Sequence, residues 1–251
     1  MGKVTVVGGK IGMEIPVKVL RARNLAVGSA VNLLENGTAV EYLVVNQGIP
    51  SNSSLYDASC NGTWLLRKTC LTSAAWRSSS TNNNYVSSNA DQWCNTTLIS
   101  YFDEATKNAI KTAKIPCVNG TGSNGSVVSG ENGLARKGFL LSGLEIGWIE
   151  NMNNTSWQWE RVPKDGAKLE YFLEGPSNEA NQRRIATYNG SNYTWWLRSP
   201  ELKTNESVWN VYENGQYSNS RPNTGYGIRP ALIIDSDAVF NRDTLVLEGV
   251  L

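Results

Sequence analysis

The 251-residue chain contains no histidine. That absence removes the imidazole general base, the Ser-His-Asp and Cys-His nucleophile arrangements, and any His-ligated zinc. Excess charge is missing as well: 23 Lys and Arg stand against 22 Asp and Glu, a formal net charge of +1. Neither sign gathers into a run, so nothing is built to neutralise a phosphate backbone and no nucleic-acid partner is expected. No stretch reaches about 18 consecutive apolar residues, so no membrane insertion is expected. The opening Met1-Gly2-Lys3-Val4 leads into an alternating apolar pattern instead of a signal-peptide core, which reads as cytoplasmic synthesis without a signal peptide. Cysteine is scarce, with Cys60, Cys70, Cys94 and Cys117 and none beyond. They form no CxxC pair, which argues against a zinc knuckle. Four cysteines allow three disulfide pairings, with free buried thiols the default for a chain lacking an export signal.

What the chain has in quantity is tryptophan, glycine and asparagine, including nine Trp and 23 Gly. Trp is placed at low cost only where its ring is buried and its N–H finds a partner. The most informative stretch begins at Thr194-Trp195-Trp196-Leu197-Arg198-Ser199-Pro200 and ends at Gly227-Ile228-Arg229-Pro230-Ala231-Leu232. Two apolar, core-like blocks bracket about 25 polar and aromatic residues. Tyr offers large contact area at low entropic cost, and Ser, Asn and Gly offer adaptable hydrogen bonding, as in a paratope. The plainer alternative is a long solvated loop between two core strands.

Residues 1–25 read as a separable β arm, an assembly or attachment element, with strand pattern on both sides of Gly8-Gly9. The main domain, 26–251, opens with the hairpin pattern 31–45 around Asn36-Gly37, a dipeptide suited to positive φ. Ser88 or Asn89 caps a helical segment running to Phe102. Asp103 caps a second helix over 104–115, ended by Pro116, with Ala105, Ala109, Ile110 and Ala113 as its buried stripe. Residues 118–133 read as a flexible Gly/Asn/Ser loop, 139–149 as a strand then a short helix, and 178–187 as a short helix. Further strands are expected at 194–197, 208–212, 229–234 and 243–251. If 194–197 is a strand, Trp195 and Trp196 face opposite sides.

Catalytic chemistry is thinly represented. Asp57, Asp91, Asp103, Glu145, Glu170, Asp235 and Asp237 are scattered, and a glycosidase would need two carboxyls about 5–9 Å apart in a cleft, which no spacing indicates. Asp235-Ser236-Asp237 offers oxygens for a structural calcium, but without the Gly and distal Glu of an EF-hand loop it reads as a solvated turn; no other cofactor is indicated. Arg198 and Arg229, in apolar blocks beside Pro, read as forks bonding loop carbonyls.

The motifs Val-Glu-Tyr-Leu-Val-Val (40–45), Tyr-Asp-Ala-Ser-Cys-Asn-Gly-Thr-Trp-Leu-Leu (56–66), Ala-Ile-Lys-Thr-Ala-Lys-Ile-Pro (109–116), Phe-Leu-Leu-Ser (139–142), Trp-Trp-Leu-Arg-Ser-Pro (195–200) and Gly-Ile-Arg-Pro-Ala-Leu (227–232) together resemble a family of phage and prophage proteins of gut Gram-positive bacteria. The resemblance covers about residues 28–240. It implies an α+β, C-type-lectin-like fold of the formylglycine-generating-enzyme type, with short antiparallel strands, two main helices and long irregular loops. Several relatives are variable proteins of diversity-generating retroelements, in which Asn codons of a C-terminal repeat are mutated while the frame is kept. On that resemblance the variable-type region is about 193–228. Asn210, Tyr212, Asn214, Tyr217, Asn219, Ser220, Arg221, Asn223 and Tyr226 are the expected ligand-binding residues, all of types reachable from an Asn codon; Glu213 and Gln216 are not. Trp195, Trp196, Trp209 and Arg229 are the expected scaffold. The implied protein is a non-enzymatic phage or prophage tail adhesin, made in the bacterial cytoplasm and displayed on the virion or bacterial surface. Its partners would be phage tail components and a bacterial surface receptor, protein or glycan, and the N-terminal arm could assemble a homotrimer. The alternatives are a surface-glycan hydrolase using paired carboxylates and a purely structural virion protein. Oxidation of the formylglycine type needs C-terminal cysteines, which this chain lacks.

Overall fold

The computed structural model describes residues 19–51, 54–150 and 159–250, together with the backbone of the paired strands Val4–Val7 and Lys10–Met13. It is a mixed α+β structure, mostly antiparallel strands with few helices. Ten strands make its two large sheets: β1 Ala30–Glu35, β2 Thr38–Gln47, β3 Thr63–Arg67, β4 Thr72–Ala75, β5 Gly138–Phe139, β6 Trp195–Pro200, β7 Val208–Val211, β8 Tyr217–Ser220, β9 Gly225–Ile228 and β10 Ala231–Ile234. The first sheet runs β5-β10-β3-β2-β1 and the second β8-β7-β6-β9-β4. All pairs are antiparallel except β6 with β9. The β1–β2 turn forms where expected, with Asn36 and Gly37 at φ 49° and 78°.

Strand alternation sorts the apolar side chains into three layers. Trp64, Leu66, Phe139, Ala231 and Ile233 of the first sheet meet Trp195, Leu197, Trp209 and Val211 of the second in one core. The opposite side of the first sheet (Val31, Leu33, Tyr42, Val44, Leu65, Leu232, Ile234) packs on Leu98, Phe102 and Ala109. The opposite side of the second sheet (Trp196, Val208, Ile228) packs with Trp76, Tyr85, Cys94 and Leu140. Trp195 and Trp196 therefore do face different cores, and both are fully buried.

Several expectations need correction. The helix expected over 104–115 stops at Ala109. Its stripe fits either period, and tertiary pairing decides: Ile110 bridges Ile234, Lys111 N–H donates to the Ile233 carbonyl, and Ala113–Ile115 pairs with Leu134–Arg136. Ser88 caps the first helix as expected, but its middle, Trp93–Thr97, is π-helical between Asn89–Gln92 and Leu98–Tyr101. The short helix expected before Ile149 is a run of turns. The loop at 118–133 contains the strands Cys117–Asn119 and Ser126–Val128, paired with each other. Its tip is held by Asn83, whose Oδ1 accepts the Gly122 N–H while its Nδ2 donates to the Glu201, Thr204 and Ser207 carbonyls. The boundary at 25 falls inside the packed unit. Val19–Arg21 pairs with Ala238–Asn241, and Ala22 and Leu25 are core residues, because the C-terminal strands supply the partners a short arm cannot provide alone. The side chains of the rest of the arm lie outside the described residues.

Candidate ligand-binding surface

The frame is built by indoles and guanidiniums that bond to backbone carbonyls. Trp195 Nε1 donates to Arg184 O at 2.9 Å, Trp196 Nε1 to Ala74 O at 3.2 Å, Trp209 Nε1 to Arg161 O at 3.1 Å and Trp76 Nε1 to Leu197 O at 2.9 Å. Each ring thus joins segments distant in sequence while removing apolar area from water. Arg229 is buried, lies 4.9 Å from the Trp195 ring centroid and donates to the Arg67 and Arg184 carbonyls. Arg184 donates to four carbonyls and to Asn181 Oδ1. Burial pushes both guanidiniums down to about 10.

Arg198 uses all five of its donors. Three go to the carbonyls of Pro116, Leu140 and Asp165, and two form a fork on Glu145 at 2.5 and 2.7 Å. Glu145 also accepts from Tyr56 Oη, and the Ser199 hydroxyl lies 3.0 Å from both Asp165 carboxylate oxygens. The whole group is buried. Burial pushes the Asp165 carboxyl up to about 7, Arg198 opposing and Glu145 adding to the shift. Burial alone would lower Arg198, but the Glu145 carboxylate outweighs it and raises the pKa. Asp165 went unnoticed in the sequence, since a lone Asp in Pro163-Lys164-Asp165-Gly166 reads as a turn residue.

The residues expected at the ligand face divide according to strand geometry. On the paired strands β7 and β8, Asn210 opposes Ser218 and Val208 opposes Ser220, while Val211 opposes Tyr217 and Trp209 opposes Asn219. Alternation puts Asn210, Ser218 and Ser220 on the outer side of the sheet, and Tyr217 and Asn219 on the side of the central core. Tyr217 is half-buried, its ring 6.0 Å from Trp148 and 6.1 Å from Trp209, so it anchors the β7–β8 hairpin more than it displays a contact. Asn210 is a second correction: it is fully buried, with neither amide atom hydrogen-bonded. On that side of the sheet it lies between Trp196 and Ser218, the neighbours set by register, where Trp196 and Val208 pack with Trp76 and Tyr85. Tyr212 and Asn214 are exposed on the hairpin turn at one end. Arg221 and Asn223 are exposed on the connection that leaves β8 beside Val208 and enters β9 beside Ala75, where Arg77 N–H donates to the Pro222 carbonyl. Thus the nine do not share one face. Five side chains form the candidate patch, Ser218, Ser220 and Tyr226 half-buried and Arg221 and Asn223 exposed; of these the sequence reading had omitted Ser218. Tyr226 closes it, its ring 5.0 Å from Trp196 and its hydroxyl 3.4 Å from Ser220 Oγ.

The carboxylates singled out in the sequence are engaged in structural bonds. Asp57 and Asp103 cap helices, Asp91 is forked by Arg136, Glu170 accepts the Gln47 N–H, Asp235 accepts the Asp237 N–H, and Asp237 is held by Arg21 and Arg23. Among the described residues, no group of three or more acidic or cysteine side chains is placed to hold a metal ion. All four cysteines are free and buried. Burial pushes Cys60 and Cys117 up to about 12 and Cys70 to about 11, and raises Cys94 too, so these thiols stay protonated. No described helix is long and apolar enough to cross a membrane.

The β1–β2 hairpin and the C-terminal strand Leu247–Val250 lie outside the part of the chain that a known family accounts for. Searches of curated proteins and of solved structures found no significant match. Residues 61–236, which contain the whole second sheet, match the family model DUF6273, described as a domain of unknown function, and the chain belongs to that family.

Proposed function

We propose that this chain is a non-enzymatic ligand-binding domain with a C-type-lectin-like fold of the formylglycine-generating-enzyme type, acting as a phage or prophage tail adhesin. Its ligand is a receptor on a bacterial surface, and its candidate patch is the part a retroelement diversifies. The observation that carries the reading is the grouping of Ser218, Ser220 and Tyr226, with Arg221 and Asn223 on the connection between their strands, upon a second sheet whose Trp195, Trp196 and Trp209 are all buried and hydrogen-bonded. A frame of that kind lowers the ordering cost of binding. The protonated thiols and the structural commitments of the carboxylates support binding over turnover.

The test is a triple variant, Arg221→Ala, Asn223→Ala and Tyr226→Ala, compared with the unmodified chain in pull-down on candidate host cells. The expected result is at least a tenfold loss of cell binding with the melting temperature within a few degrees. Binding that survives the three changes in a folded protein overturns the assignment of the patch.

A further inference from the structure

The Asn210 side chain is in an unusual position. It is fully buried, and both its donor and its acceptor lack partners. A buried amide left unpaired carries its full desolvation cost, and such groups are rare enough to call for an explanation. Nor is it remote from the surface. It sits on β7, between Trp196 on β6 and Ser218 on the edge strand β8. The Tyr226 side chain starts on β9, stacks on Trp196 and places its hydroxyl 3.4 Å from Ser220 on β8. With the order β8-β7-β6-β9, a ring that starts on β9, lies on Trp196 and turns its hydroxyl toward Ser220 on β8 points toward Asn210, the register partner of Trp196. The far end of the ring is held by one long hydrogen bond, and Tyr226 is itself only half-buried.

Resting on the reading of this patch as a ligand site, we propose that Asn210 is the polar floor of a subsite covered by Tyr226, and that it takes the acetamido group of an N-acetylated amino sugar. A side-chain amide whose N–H₂ and carbonyl are both free is matched by a second amide, which returns an acceptor and a donor. The flanking groups fit a sugar ring: Trp196 and Tyr226 offer aromatic faces to its C–H side, and Ser218 and Ser220 offer hydroxyls. Trp196, Asn210, Ser218, Ser220 and Tyr226 carry no charge. A neutral, hydroxylated guest with one amide satisfies every group named. Tyr226 swings off Trp196 to admit it, and the guest replaces the ring as the cover.

The experiment uses the full chain and calorimetric titration with triacetylchitotriose, with cellotriose as the neutral trisaccharide lacking acetamido groups and N-acetylalanine methylamide as a peptide amide. Triacetylchitotriose is expected to bind at least about tenfold tighter than either control, the effect of two hydrogen bonds, and to shift the Asn210 side-chain amide resonances. Asn210→Leu should raise the melting temperature, because it removes two unpaired groups, while abolishing the preference for the acetylated sugar. Equal binding of cellotriose, tighter binding of the peptide amide, unshifted Asn210 resonances or a preference that persists in Asn210→Leu would each overturn the proposal. Cell binding that depends on Arg221 and Asn223 without any response to triacetylchitotriose would sink the acetamido subsite and leave the adhesin reading standing. Asn210-dependent sugar binding in a chain that ignores host cells would do the reverse.

Discussion

Replacing Asp165 with Asn should remove a pH dependence that the fold builds in. Asp165 is fully buried, faces the Ser199 hydroxyl, and has its carboxyl pushed up to about 7 from an ordinary 3.8, with burial as the main cause. Its folded-state pKa lies above its unfolded value, so between about pH 4 and pH 7 the folded chain holds a proton that the unfolded chain releases. The stability linked to this group is therefore fully present at the acidic end and is lost as pH rises through about 7, flat above that. A shift of roughly three pH units at 1.36 kcal/mol each corresponds to about 4 kcal/mol across the whole window. About 2–3 kcal/mol of it falls between pH 5 and pH 8. Urea unfolding of the original chain and of Asp165→Asn at pH 5, 6, 7 and 8 isolates the effect as a difference between the two curves, in which the exposed carboxylates cancel. The original chain should lose ground to the variant with rising pH, most steeply between 5 and 7. A difference that is flat to within about 0.5 kcal/mol, or that grows in favour of Asp165 as pH rises, would refute the assignment of a neutral, buried carboxyl.

Arg198→Met should destabilise the chain by about 3–5 kcal/mol in urea, because it strands the buried Glu145 carboxylate; adding Glu145→Gln should recover part of the loss, and a loss below about 1 kcal/mol would count against the cluster. Gly227→Ala should cost about 1–3 kcal/mol, since a Cβ there would stand 2.4 Å from Cys70 Sγ; in a Cys70→Ala background most of that cost should vanish, and equal costs in both backgrounds would show that the contact is not the cause. None of the four thiols should react with a disulfide reagent in the native chain at pH 8, and all four should titrate in guanidinium; fast reaction of any one in the native state contradicts its burial.

Features whose signals are local were legible in the sequence. Asn36-Gly37 forms its hairpin because positive φ is a property of those two residues. Ser88 and Asp103 cap their helices because a short side chain before a helical run bonds the N–H three residues on. The opposite facing of Trp195 and Trp196 follows from the period of a strand. Features set by distant partners were not legible. The stripe at 105, 109, 110 and 113 suits a helix or a strand, and pairing with Leu134–Arg136 ends the helix early. Strand β8, Tyr217-Ser218-Asn219-Ser220, has no apolar alternation and is held by β7, so it read as loop and its residues as a single face. Within the candidate site, the exposed Arg221 and Asn223 could be picked out by residue type, whereas the burial of Asn210 and the anchoring of Tyr217 depended on which side of β7 and β8 they fell.

Composition and local pattern by themselves determined that this chain works without imidazole, carries no strong net charge, is rich in indoles that need carbonyl partners, and ends in a polar stretch between two apolar blocks. Tertiary structure alone decided that those blocks become buried strands of two sheets, that Arg198 joins Glu145 to the Asp165 loop, and that one asparagine of the polar stretch is enclosed while Arg221 and Asn223 are exposed. The physical reason is range: torsional preference and periodicity act within a few residues, whereas burial and pairing depend on chain segments that only folding brings together.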